Sequence, residues 1–147
     1  MNENGYQPND FCKECQGVCC KAMGCHFSPD DFEKLDFNFL KNKIEEGYIS
    51  IDWWEGDPRT KGKLEQTYFL RIRNKDASIL DPSWGGVCCL LTETGCSLPF
   101  DKRPKGGRFV EPSVNHGRCV GHYTKRDSAI DWISYQKILC NLVDYFY

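Results

Sequence analysis

Five cysteines fall within the fourteen residues from Cys12 to Cys25, CKECQGVCCKAMGC, with Gly17 and Gly24 among them. Sulfurs crowded this closely leave few options, because neighbouring thiols either cross-link or share a metal ion. Cys12 and Cys15 form a C-x₂-C pair, a spacing that lets a short turn aim two thiolates at one ion. Cys19 and Cys20 are adjacent, and adjacent side chains on extended backbone point to opposite sides. Without a tight bend they cannot both serve one small site. Either one faces the metal and the other a packed interior, or each serves a different centre. A second group, Cys88 and Cys89 with Cys96 following, recurs far along the chain. Two such clusters make metal chelation by Cys12, Cys15, Cys19, Cys20, Cys25, Cys88, Cys89 and Cys96 the leading reading.

A disulfide framework is the competing use of the ten cysteines, and it needs an oxidising compartment. The opening MNENGYQPND has neither the basic start nor the apolar run of a signal peptide, and nowhere do roughly 18 apolar residues run together. The expected location is therefore the reducing cytoplasm, where such spacings serve metal or catalysis. A hydrophobic content of 40% in 147 residues suffices for one folded domain, 1–147, with a real core. The formal charge of −2 gives no electrostatic grip on nucleic acid or on an anionic membrane.

Ser28-Pro29-Asp30-Asp31 opens a helix: a capping hydroxyl, a proline suited to the first position, and two acids at the positive end of the dipole. Phe32, Leu35, Phe39, Leu40 and Ile44 recur at helical steps, predicting one amphipathic helix that stops at Gly47. Asp30, Asp31, Glu45 and Glu46 read as dipole partners and solvated charge rather than a catalytic carboxylate pair. Residues 48–53 alternate as a strand, with one of Trp53 and Trp54 expected buried and the other half-exposed. Turn chemistry fills 56–62. Residues 67–73 alternate again, with Arg71 and Arg73 on one face and Leu70 and Ile72 on the other, and the two strands are expected to pair.

Cys88 to Leu98 reads as two short extended pieces joined by a Gly-containing turn, a knuckle that could bring Cys88 or Cys89 near Cys96. The basic stretch 102–108 lacks the order of a phosphate-cradling loop and reads as a plain loop. Then comes His116-Gly117-Arg118-Cys119-Val120-Gly121-His122, which adds Cys119 to the candidate ligands. His116, His122 and His26, next to Cys25, stand behind it in reserve. A last helix is expected from about Asp127, with Trp132, Tyr135, Leu139, Leu142, Val143 and Phe146 as its apolar stripe. Cys140, on or beside that stripe, reads as a buried inert thiol. The fold class is α+β: two main helices, a small antiparallel sheet and cysteine-rich loops tied by metal.

Cys12-x₂-Cys15-x₃-Cys19-Cys20, then Cys88 and Cys89 with Gly95-Cys96-Ser97-Leu98, then Arg103-Pro104, resemble the YkgJ-type cysteine cluster proteins, a zinc- or iron-chelating CxxCxxCC domain. The resemblance runs from Cys12 to about Cys119, and 131–136 are similar to the tail of Gram-positive-type members. It implies chelation of a metal by cysteines from both ends of the domain. A similar cysteine module is carried by the larger flagellin lysine N-methylase. Members often have a cysteine soon after the Arg-Pro, where this chain has Lys105-Gly106-Gly107-Arg108. Cys25, Cys119 or a histidine would then stand in, or one site would be lost.

Three functions follow from such a centre. Closed four-ligand zinc sites would hold a small fold whose surface serves a protein partner. Four cysteines would alternatively hold an iron–sulfur cluster for redox chemistry. A metal-dependent protein-modifying enzyme related to the methylase module is the third, weakened because the chain has no glycine-rich strand-to-helix loop, Gly-x-Ser-x-Gly elbow or His-Glu-x₂-His helix. All-sulfur ligands suit zinc and iron alike, and added histidine favours zinc.

Overall fold

The computed structural model describes residues 26–59, 66–75, 77–81, 89, 91–92, 95–96, 103–111 and 120–147. Its centre is an antiparallel pair, β1 (Ile49–Glu55) and β2 (Gln66–Ile72). Ile49↔Ile72 and Ile51↔Leu70 lie opposite each other on one face, and Ser50↔Arg71 and Asp52↔Phe69 on the other. The two expected strands therefore pair, in the expected alternation. Trp53 and Trp54 are both half-buried, so neither is the fully buried ring anticipated. They lie towards the end of β1 that reaches exposed Glu55.

A two-stranded ribbon has two open edges, and each is a row of backbone groups that need partners. On β1, Ile51 donates its N–H to the Ile79 carbonyl at 2.6 Å and accepts from the Asp81 N–H at 2.9 Å. On β2, the Phe27 N–H donates to the Leu70 carbonyl at 2.9 Å. Next to it, the Gln136 amide takes both backbone groups of Tyr68, Oε1 accepting from its N–H and Nε2 donating to its carbonyl, each at 2.8 Å.

The single helix expected from Ser28 to Gly47 is divided. Ser28 caps a 3₁₀ turn, Pro29–Asp31, and the Asp31 carboxylate accepts from the Ser28 N–H at 2.8 Å. The chain then extends at Phe32 and restarts as α1 (Phe37–Glu45), because Asp36 supplies a second cap by accepting from the Phe39 N–H at 2.8 Å. Gly47 (φ +102°) stops α1 as predicted, in the left-handed conformation glycine tolerates.

The basic stretch expected as a loop contains a helical turn, α2 (Lys105–Arg108). Two short antiparallel pairs accompany it: β3 (Leu91–Thr92) with β4 (Gly95–Cys96), and β5 (Val110–Glu111) with β6 (Val120–Gly121). The first shows two short extended pieces pairing where they were expected, but Gly95 lies inside β4 rather than in the turn.

The closing helix is also divided, into α3 (Lys125–Asp131), a 3₁₀ turn (Ile133–Tyr135) and α4 (Gln136–Phe146). It starts before Asp127 because Thr124 and Asp127 cap each other reciprocally. The break lies between Trp132, whose Nε1 donates to the Phe27 carbonyl, and Gln136, whose amide reaches the β2 edge. Trp132, Leu139 and Leu142 are fully buried, with Leu40, Ile44, Ile49, Ile51, Phe69, Leu70, Ile72 and Ala129 in the same core. Cys140 is exposed, against the expectation of a buried thiol. It stands one residue, about 100°, round α4 from Leu139, far enough to leave the apolar stripe. Helices and antiparallel strands in separate stretches make the fold α+β as expected, with four helices rather than two among the described residues.

The 3₁₀ turn and α2 are clamped together. Asp31 accepts from the Lys105 N–H at 2.9 Å and from the Arg108 guanidinium at 2.7 Å, so it is a structural acceptor and not the solvated charge anticipated. The Gly106 N–H donates to the His26 carbonyl at 2.9 Å. A Cβ at Gly106 would stand 2.6 Å from the His26 nitrogen and 2.8 Å from its oxygen, both backbone atoms that cannot rotate away. Gly106→Ala is therefore expected to push α2 off residue 26 and cost about 1–3 kcal/mol. Urea unfolding should show a lower midpoint with an unchanged slope; an unchanged midpoint would mean that the contact relaxes freely.

Candidate metal centre

Of the predicted ligands, Cys12, Cys15, Cys19, Cys20, Cys25, Cys88 and Cys119 lie outside the described residues, as does His116. Cys89 is half-buried, and its N–H donates to the Arg73 carbonyl at 2.9 Å. Cys96 lies in β4 opposite Leu91. His122 is exposed, with its N–H on the Phe109 carbonyl at 2.8 Å. Gly107, where a cysteine would be expected from the resemblance, lies within α2.

Two anchor points lie close together at the end of β2. His26 bridges Arg71 in antiparallel fashion, and Cys89 binds Arg73. Two residues along a strand span about 7 Å. Residue 26 follows Cys25 directly and residue 89 follows Cys88 directly, so the chain flanking each cluster is tethered at nearly the same place. α2 binds residue 26, and the β5–β6 pair that follows α2 leads to Cys119, which directly precedes β6.

Beneath this end of the sheet lies a buried charged cluster that the alternation did not reveal. Arg71, 2% exposed, donates to Asp52 Oδ2 at 3.3 Å, to Asn74 Oδ1 at 3.1 Å and to the Ile72 carbonyl at 3.3 Å. Lys125 at the start of α3 approaches Asp52 Oδ1 at 3.5 Å, and its ammonium lies 5.7 Å from the centre of the Phe69 ring. Burial pushes the Asp52 carboxyl above its usual range, outweighing the opposing pull of Lys125, the Trp53 N–H and Arg71. The sequence did carry a signal, namely a charge set among the apolar residues of each of two paired strands.

The His26 ring packs against Phe69, centroids 5.6 Å apart and tilted by 58°. Burial, with Arg71 and Lys125 nearby, holds its pKa down at about 3, so the imidazole is neutral at ordinary pH. Nδ1 is buried without a hydrogen-bond partner among the described residues. A neutral imidazole is the form that ligates metal, but the charges acting on this one are the cations Arg71 and Lys125. Among the described residues alone, no group of three or more His, Cys, Asp or Glu could hold an ion. No helix among them is long and apolar enough to cross a membrane.

On the other side of α2, an open cleft of about 370 Å³ is lined by Lys105, Phe109, His122, Tyr123, Asp127 and Asp131, with Ile130. The Tyr123 hydroxyl donates to Asp131 at 2.7 Å, and burial together with that carboxylate pushes its pKa far up. Cys140 lies apart on α4, its thiol pKa raised by partial burial and by Asp144, which makes it a poor nucleophile. No protein-family model matches the chain, and neither does any curated protein or solved structure.

The cluster yields an asymmetric prediction. Arg71→Met removes the cation that pairs with buried Asp52 and should cost roughly 3–5 kcal/mol. Asp52→Asn resembles the protonated acid and should cost less. Because the folded pKa of Asp52 is raised, the stability it contributes is fully present below the unfolded carboxyl pKa of about 3.9 and is lost as pH rises through the folded value. The advantage of wild type over Asp52→Asn should therefore shrink as pH climbs from about 4. Urea unfolding of the three proteins across that range checks both statements, and a constant difference between wild type and Asp52→Asn would refute the second.

Proposed function

We propose that this chain is a metal-binding cysteine-cluster protein of the YkgJ type, with zinc as the favoured ion and iron or an iron–sulfur cluster as the alternative. Cys12 and Cys15 bind one ion, joined by Cys19 or Cys20 and by at least one sulfur from beyond residue 87. The observation that carries this reading is the tethering of residue 26 at Arg71 on β2 and of residue 89 at Arg73, just past the end of that strand. Clusters more than sixty residues apart in sequence are flanked by chain fixed two positions apart, at Arg71 and Arg73. Two cysteine clusters that serve one centre must be brought together, and neighbouring anchors do that. Thiolates are held deprotonated by the ion, which in turn ties the loops that carry them, so metal binding contributes to folding. A protein partner would then use the surface that this tie supports, while redox chemistry would require iron.

Metal analysis and the visible spectrum of anaerobically purified protein test the proposal. A colourless, zinc-loaded chain is expected, and a brown chain with broad sulfur-to-iron absorbance would select the iron–sulfur alternative. Cys12→Ser and Cys15→Ser should each lower metal content, and a strong chelator under reducing conditions should lower the melting temperature. A chain that holds no metal and melts unchanged with chelator would sink the reading.

A further inference from the structure

We propose that the open cleft beside α2 binds a zwitterionic amino acid with an apolar side chain, a second site that owes nothing to the chelation reading. Lys105 comes to the cleft from α2, and Asp127 and Asp131, four residues apart on α3, share one face of that helix. Tyr123, 7% exposed, links the two signs of charge. The Lys105 ammonium stands 4.8 Å from the centre of its ring and 5.5 Å from that of Phe109, while Asp131 Oδ2 accepts from its hydroxyl at 2.7 Å. None of the ion pairs among the described residues involves Lys105, Asp127 or Asp131. Asp127 uses Oδ2 for the N–H and hydroxyl of Thr124, so both carboxylates keep Oδ1 for another donor. Opposite charges thus line one cleft without neutralising each other.

That separation selects the occupant. A simple anion would meet two carboxylates for one ammonium, and a simple cation would meet the ammonium. The described residues of the cleft form no metal-binding group, so a bare metal ion does not fit either. A zwitterion answers each sign with its own opposite, its carboxylate on Lys105 and its ammonium on Asp131 and Asp127. Phe109 and Ile130 supply the apolar contact for its side chain, and about 370 Å³ is at the small end of ligand pockets. Both charged walls are held in place beforehand. The Lys105 N–H is fixed on Asp31, and α3 is fixed by Ser128 Oγ on the Phe27 carbonyl. Burial and Asp131 keep the Tyr123 phenol protonated, so it orients that carboxylate rather than repelling it.

The test titrates L-phenylalanine into the full ¹⁵N-labelled chain and follows its amide signals. Saturable shifts at Lys105, Tyr123 and Ile130 are expected. Phenethylamine and hydrocinnamate, which each lack one of the two charges, should bind at least about 10-fold more weakly. Lys105→Met should erase the advantage of L-phenylalanine over phenethylamine and keep its advantage over hydrocinnamate; Asp131→Asn should narrow the second and keep the first. No saturable shift, shifts confined to residues away from the cleft, or equal binding of either single-charge analogue would overturn the assignment and leave cysteine chelation standing. The three ligands are compared on unsubstituted protein, so a folding defect in either variant cannot mask the result.

Discussion

The backbone of residues 26–28 is the joint on which the described structure depends. Phe27 N–H closes one edge of β2, and its carbonyl uses both lone pairs, one for Ser128 of α3 and one for Trp132. The His26 carbonyl holds α2, and the Ser28 N–H holds the Asp31 carboxylate that clamps α2 a second time. Strand, helical turn and closing helix therefore meet on three consecutive peptide units. The cysteine-rich stretch before them enters the fold at its most constrained point.

The charges buried beside that joint bear on specificity more than on stability. Arg71 and Asp52 are not direct cross-strand partners: Arg71 faces Ser50, and Asp52 faces Phe69. They meet along the diagonal, within reach of long side chains on one face. A slip of one residue in the β1–β2 register would carry Arg71 to the face of Ile49 and Ile51, away from Asp52. The raised pKa of Asp52 says that burial is only partly compensated by its partners. What the pair secures is the alignment that also places Arg71 opposite residue 26 and Arg73 under residue 89.

The local features of this chain were written in its sequence. Period-two alternation specified the paired strands and which residues share a face. Ser28, Gly47 and the Cys88–Cys96 stretch announced a cap, a stop and a knuckle, because each depends on the conformational preference of a few neighbouring residues. The spacing of sulfurs raised metal chelation as the leading chemistry, with most of those sulfurs outside the described residues. Helical period alone could not locate the breaks. Phe32 and Leu35 pack on the core whether or not the helix is continuous, and Trp132 and Gln136, four residues apart, would share a face of an unbroken helix too. Nor could it foresee that Asp31 reaches residues 105 and 108, that Arg71 is sealed beneath α3, or that a nitrogen of His26 is buried without a partner. Those outcomes depend on what segments distant in sequence bring against a side chain, and burial of charge is decided by that second surface rather than by the strand that carries it.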